Sequence, residues 1–195
     1  MRTFVVVGHE AHTRPDFSLD DLPGTSGRMD ILARCVSSAL LVSHGIRKDV
    51  EVHLILKGPP QPPRTIRLVG CNLRHLNPDE RTTASLFLKA LGTPGIAESM
   101  STPGFYVSGL SFTDTISNLK GNFILLKEDG EDIRWKPIPS NPVFFLSDHL
   151  DFEEEEEEAI MARNALVVSL GPRSLQADQC ISIANNEMDR REMSE

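Results

Sequence analysis

The chain has 195 residues, 39% hydrophobic and 25% charged, with a formal net charge of −8; that suits one soluble domain over residues 1–195 with an ordinary core. No apolar run nears the roughly 20 residues a bilayer span needs, no secretory leader is visible, and Cys35, Cys71 and Cys180 lack CxxC spacing, so no membrane, disulfide framework or metal site is expected and the cytoplasm is the expected location. Charge is uneven: residues 1–100 carry 12 Lys+Arg against 10 Asp+Glu, a balance of +2, whereas residues 101–195 carry 8 against 18, a balance of −10. DNA is therefore not an expected partner, while an RNA face on the first half stays open.

In chain order, residues 2–8 read as a strand and 10–25 as a polar loop. A helix begins near Ser26-Gly27, where Met29, Ile31, Leu32, Cys35, Val36, Ala39 and Leu40 recur on one face, and Gly45 stands where a C-cap would end it. That apolar face suits a core or a dimer seam equally. Residues 50–56 and 64–69 read as a hairpin around a stiff Gly/Pro turn at 57–63. A second helix is expected from Asn77 as N-cap, with Pro78 first and Glu80 completing a capping box. Arg81 there opposes the macrodipole, so a carboxylate or phosphate partner is expected.

Residues 92–104 read as loop, 105–107 as a short strand, and 111–119 as a short helix with Ser111 as cap and Asp114 three residues on. An apolar strand at 122–127 should stop at the turn Asp129-Gly130. Residues 143–146 read as another strand, and the run from Glu153 to Glu158 with residues 159–163 as a mostly solvated helix. A buried strand at 165–168 ends at Gly171-Pro172, and Ser174 is placed as N-cap of a helix over 175–188. Short strands alternating with helices give a mixed α/β fold with a sheet largely parallel in its second half. Ligands in such sheets sit beyond the carboxyl ends of strands, here Leu125-Leu126, Leu146-Ser147-Asp148 and Leu170-Gly171.

The late stretch SLGPRSL at 169–175 carries chemistry beyond an ordinary turn. A strand, a Gly-Pro bend and a helix start present unpaired backbone N–H groups beside a glycine that lets a ligand approach closely. This stretch, with CISI at 180–183, resembles the cofactor end of the archaeal tRNA pseudouridine-54 N1-methyltransferases of the SPOUT superfamily. LPGTSGRMDILARCV at 22–36, NPDER at 77–81 and NPVFFLSDH at 141–149 agree in the expected order. The resemblance implies a C-terminal trefoil knot within about 120–195, S-adenosylmethionine (SAM) as methyl donor, tRNA as substrate, and a homodimer with composite sites in which the Arg28–Arg34 helix works near the partner's cofactor. Connectivity rules alone would never propose a knot.

By the same resemblance, cofactor contact is carried onto Leu125, Leu126, Ser147, Leu170, Gly171, Pro172, Arg173, Ser174, Leu175 and Cys180. Without it, the leucines read as core and Cys180 as a small buried apolar residue. Methylation at pseudouridine N1 needs in-line approach and loss of a proton, so Asp30 and Asp148 are the candidate catalytic carboxylates. Helix-end electrostatics and turn stabilisation are the plainer roles for the two. Asp148-His149 carries little weight as an acid–base pair, because adjacent residues rarely face each other. Arg28, Arg34, Arg47 and Arg81 are the candidate RNA contacts, with surface solubility as the alternative; Arg28 and Arg34, six apart, are expected on different helix faces. A ribosomal-RNA pseudouridine methylase and a non-catalytic SAM- or RNA-binding accessory are the competing readings, and the compact acidic chain favours tRNA over ribosomal RNA.

Overall fold

The computed structural model describes residues 1–60 and 63–193. Eight strands form one sheet in the order β10-β8-β9-β1-β4-β5-β7-β6. At its centre lies β1 (Arg2–Gly8), buried at every residue, as a near-continuous apolar run must be when both faces are covered. β4 (Val50–Leu56) and β9 (Pro142–Ser147) flank β1 in parallel, followed outward on the β9 side by β8 (Asn122–Asp132) and β10 (Leu166–Ser169). On the other side β5 (Arg64–Val69), β7 (Phe105–Ser108) and β6 (Ser99–Thr102) add antiparallel pairings. The sheet is thus mixed and largely parallel, and its parallel part includes the first strands as well as the last.

The expected 50–69 hairpin is present, though Gln61 and Pro62 in its turn lie outside the described residues. β6 occupies part of the stretch read as loop, and a short α1 (Leu22–Thr25) interrupts the other. α2 (Met29–Leu40) starts two residues after Gly27, with Arg28 as its N-cap in the left-handed region at φ 68. Its apolar face is core: Met29, Leu32, Ala33, Cys35, Val36, Ala39 and Leu40 are fully buried, so this face is not free to serve as a dimer seam. Gly45 caps nothing. Leu41 turns extended, and a two-stranded ribbon follows, β2 (Leu41–Val42) with β3 (Gly45–Ile46).

α3 (Glu80–Leu91) is capped by Asp79, not Asn77, because the Asp79 carboxylate accepts from Thr82 N at 2.8 Å. α4 (Phe112–Asn118) has the expected Ser111–Asp114 capping box. β8 runs through Asp129-Gly130: neighbouring Val167 and Val168 pair with Leu125 and Glu131, so 126–130 loop out of the ladder without ending the strand. α5 (Glu154–Met161) is solvated except at Glu156 and Ile160, which are buried. α6 (Ala177–Glu192) starts later than expected, from the N-cap Gln176, and the Ser174 hydroxyl donates instead to Glu128 Oε1 at 2.8 Å. Among the described residues no helix is long and apolar enough to cross a membrane.

At the amino ends of the parallel strands α6 is tied to the sheet by charge. Arg2, 2% exposed, donates to Asp189 at 2.8 Å, Glu192 at 2.9 Å and Asn185 at 3.1 Å, while Arg47 grips Asp189 bidentately at 2.8 and 2.6 Å.

Candidate functional site

From β1 the chain crosses to β4 on one side and later returns to β9 on the other. Parallel α/β sheets bind ligands outside the carboxyl ends at such a switch point. Here that position is a cavity of about 560 Å³ lined by His9, Glu10 and His12 after β1, Gly27 and Arg28 before α2, Lys57 to Pro59 after β4, and His149 after β9. Two glycines make room for the loop beneath it. A Cβ at Gly27, itself at φ 62, would stand 1.7 Å from the Glu10 carbonyl oxygen, and one at Gly58 would stand 2.1 Å from it. No side chain larger than hydrogen fits at either.

A buried charged cluster beside the cavity is centred on His9. Its Nδ1 lies 3.1 Å from Asp148 Oδ1 and its Nε2 2.9 Å from Glu156 Oε2, and its backbone N–H donates to Asp148 Oδ2 at 3.0 Å. Lys57 Nζ donates to Glu156 Oε1 at 2.9 Å and to Glu153 at 2.5 Å. Burial works against the His9 cation, but hydrogen bonds to Asp148 and Glu156 outweigh it and lift the pKa to about 9. Burial likewise works against the Glu156 carboxylate, yet His9, Lys57 and the Glu153 amide carry it down to about 2. Local sequence reading passed over His9 and Glu156. Their partners lie 139 and 147 positions apart, a distance at which no periodicity speaks; the one local signal was a histidine at the end of a buried strand.

Both candidate carboxylates are held ionised. Burial opposes the charge on Asp148, and hydrogen bonds from His9 and the Leu150 amide bring its pKa below the ordinary carboxylate range. His149 Nδ1 does approach Asp148 Oδ2, at 3.5 Å, but His9 already claims that carboxylate. Asp30, 3% exposed, accepts a bidentate pair from Arg28 at 2.9 Å and a bond from Arg34 at 3.1 Å. Burial opposes its charge too, and the two guanidinium groups lower its pKa. Arg28 and Arg34 therefore converge on one carboxylate and do not point apart, because Arg28 leaves the helix in a left-handed turn. Arg34 also reaches Glu80 at 3.3 Å. Arg81 pairs with Asp20 at 2.6 Å on the surface, the carboxylate partner its position called for. Among the described residues Arg14, Arg74 and Arg173 are exposed and make no ion pair.

The neighbouring carboxyl ends of β8, β9 and β10 bring the other candidates together. Gly171 stands at φ 144 with nothing within 4 Å of where a Cβ would be, so open space fronts a backbone conformation that side chains rarely adopt. Residues 172–176 are exposed. Ser169 Oγ closes the bend, donating to Gly171 O at 3.1 Å and accepting from Gly171 N at 3.3 Å. Across the bend stands the looped-out segment 126–130, whose Glu128 takes the Ser174 hydroxyl. Leu125 is core at 0% exposure, whereas Leu126 and Leu170 are half-buried and Leu175 is exposed. Cys180 lies on α6 beneath the bend, with burial pushing its thiol up to about 11. Ser147 Oγ donates to Leu150 O and shapes the turn at 147–150, which also carries His149 of the cavity. The exposed backbone of the bend, the half-buried Leu126 and Leu170 and the Glu128 carboxylate are the groups this region could offer a cationic nucleoside.

Known proteins resemble the chain over nearly its whole length. The model of a family described as SAM-dependent RNA methyltransferase matches residues 1–193. A Methanocella arvoryzae protein named tRNA (pseudouridine(54)-N(1))-methyltransferase is 51% identical over 193 residues, covering 98% of this chain and 100% of its own. Proteins of the same name from Haloarcula marismortui and Thermococcus gammatolerans are 46% and 45% identical over 97% of this chain, covering 96% and 97% of theirs. Among solved structures, Archaeoglobus fulgidus Nep1 bound to S-adenosylhomocysteine superposes with a TM-score of 0.63 at 16% identity, covering 97% of each chain.

Proposed function

The chain belongs to the SAM-dependent RNA methyltransferase family, and from that premise we infer that it methylates N1 of pseudouridine 54 in the T-loop of tRNA. The observation that carries this reading is identity of up to 51%, over nearly the whole length, to relatives that bear that activity in their names. The Nep1 likeness supports the SPOUT-type fold alone. When bound, SAM supplies an electrophilic methyl group on a sulfonium.

For the donor we propose the bend at Leu170, Gly171, Pro172, Arg173, Ser174 and Leu175, with Leu126, Ser147 and Cys180 beside it and Leu125 supporting from the core. The bend offers backbone groups to a base edge, its half-buried leucines offer faces to the ring, and Glu128 brings negative charge to a cation. The cavity at the ends of β1, β4 and β9 receives the acceptor, since chemistry on a base in folded RNA requires its extrusion. Asp30 and Asp148 act from behind the cavity's lining as positioning groups, through Arg28 and His9: carboxylates whose pKa is lowered by cations are poor proton acceptors. The N1 proton passes to water in the cavity.

Of the four candidate RNA arginines, Arg47 is spent on Asp189, and Arg28 and Arg34 are spent on Asp30. Arg81 sits in an exposed pair, which a phosphate exchanges at little cost. Arg14, Arg74 and Arg173, which make no ion pair among the described residues, are proposed beside it. We further propose one domain over 1–195, a cytoplasmic site of action where tRNA is found, and a trefoil knot within about 120–195. Supporting the knot, β10 and the bend after it lie against β8 and its 126–130 excursion, with Ile133 N bonded to Ser169 O at 2.9 Å and Ser174 Oγ to Glu128 at 2.8 Å. The protein is proposed to be a homodimer whose seam uses exposed groups such as Leu175 and Ile183, not the buried face of α2.

Labelled SAM and a pseudouridine-54 transcript should give 1-methylpseudouridine on nucleoside analysis. Equal transfer onto the uridine-54 transcript would refute a nitrogen-directed reaction.

A further inference from the structure

The turn at 147–150 borders both halves of the site, with Ser147 on the donor side and His149 in the cavity. A ring from another element is bonded to it. The His9 side chain is 7% exposed, and both of its nitrogens face carboxylate oxygens, Asp148 at 3.1 Å and Glu156 at 2.9 Å. Ionised carboxylates only accept, so each nitrogen must carry a proton. Asp148 passes the constraint on: its Oδ1 accepts from Leu150 N at 3.0 Å, and its own N–H donates to Val7 O at 3.0 Å. Leu150 O in turn receives the Ser147 hydroxyl. On the far side Glu156 accepts from Glu153 N at 2.9 Å and from Lys57. One ring thus joins the ends of β1, β4 and β9 and the first turn of α5.

We propose that His9 is a positioning residue for methyl transfer, holding the 147–150 turn, through two ring N–H bonds, in the shape that receives the methyl donor. The inference rests on the donor site placed at this turn and the Gly171 bend. The other charged groups around the ring leave its bonds intact. Lys57 and Glu153 bond Glu156 or each other, and His149 meets Asp148 Oδ2 at 3.5 Å and Glu10 at 3.3 Å. Arg28 is turned to Asp30.

The test uses S-adenosylhomocysteine as probe, with calorimetry and ring-nitrogen NMR on the whole protein. In the wild type both His9 ring N–H groups should be seen at neutral pH, and their signals should move when the probe binds. His9→Gln keeps one donor; it should bind the probe on the order of 10-fold more weakly at temperatures well below its melting point, with kcat falling less than the probe affinity. A wild type that binds the probe while His9→Gln binds it equally well would overturn the role of His9 alone. So would ring signals that show one proton, or that stay fixed on binding, and these readouts stand even if the variant fails to fold. A wild type that ignores the probe would overturn the donor site and this inference together.

Discussion

His9 and Glu156 fix each other's charge, and that makes stability depend on pH in a defined direction. The His9 pKa is about 9 in the folded chain against an ordinary 6.5, so its contribution is complete below 6.5 and is lost as pH rises through 9. The Glu156 pKa is about 2 against an ordinary 4.5, so its contribution is complete above 4.5 and is lost as pH falls toward 2. Thermal melting across pH should show the cluster's full effect between 4.5 and 6.5. The alkaline loss should be on the order of 3 kcal/mol, and His9→Gln should flatten that limb. Gly171→Ala should cost about 1–2 kcal/mol in urea unfolding through its backbone alone, since no neighbour blocks the added methyl. The Gly171 bend was legible in sequence, because a Gly-Pro pair after an apolar run is a local signal. The buried role of Glu156 was not, because a glutamate inside a run of six looks solvated until its distant partner is known.

At the scale of elements, caps and strands written in local chemistry were readable, as β1 and the Ser111 cap of α4 show. Boundaries set by tertiary partners were not. Ser174 looks like a helix cap but spends its hydroxyl on Glu128, and Asp129-Gly130 looks like a strand end but forms an excursion against β10. A Cβ at Gly130 would stand 2.6 Å from the Val168 backbone, which is why glycine sits there. α6 packs Ile181, Ala184 and Met188 into the core and is tied at its end by Arg2 and Arg47 through Asp189. Asp189→Ala leaves both guanidinium groups short of a partner, one of them buried, and should cost about 3 kcal/mol by chemical denaturation. Because α6 carries Cys180 under the bend, donor affinity should fall with it.

For the whole molecule, a chain of net charge −8 with tRNA as its proposed substrate has few cations to spend. The pairs at Asp30 and Asp189 withdraw Arg28, Arg34 and Arg47 from phosphate duty. The Arg14→Ala/Arg74→Ala double variant should therefore weaken tRNA binding several-fold, and it should lower the slope of log affinity against log salt by about 2. Calorimetry should find S-adenosylhomocysteine affinity unchanged. An unchanged salt slope would place the RNA elsewhere. The largely parallel architecture was legible because buried strands alternate with helices. The antiparallel turn-back at β4–β5 was legible too, in the stiff Gly/Pro turn, but the place of β1 between β4 and β9 was not, since strand order is fixed by contacts across the sheet.

The Gly171 bend and the cavity beside His9 both lie on one rim of the sheet, and the Arg2 cluster occupies the opposite rim, a strand's length of roughly 20 Å away. A resin linker or fluorescent dye attached on that rear rim would leave the proposed working side turned outward, so that the protein, fixed to a bead, should keep the proposed activity on transcripts.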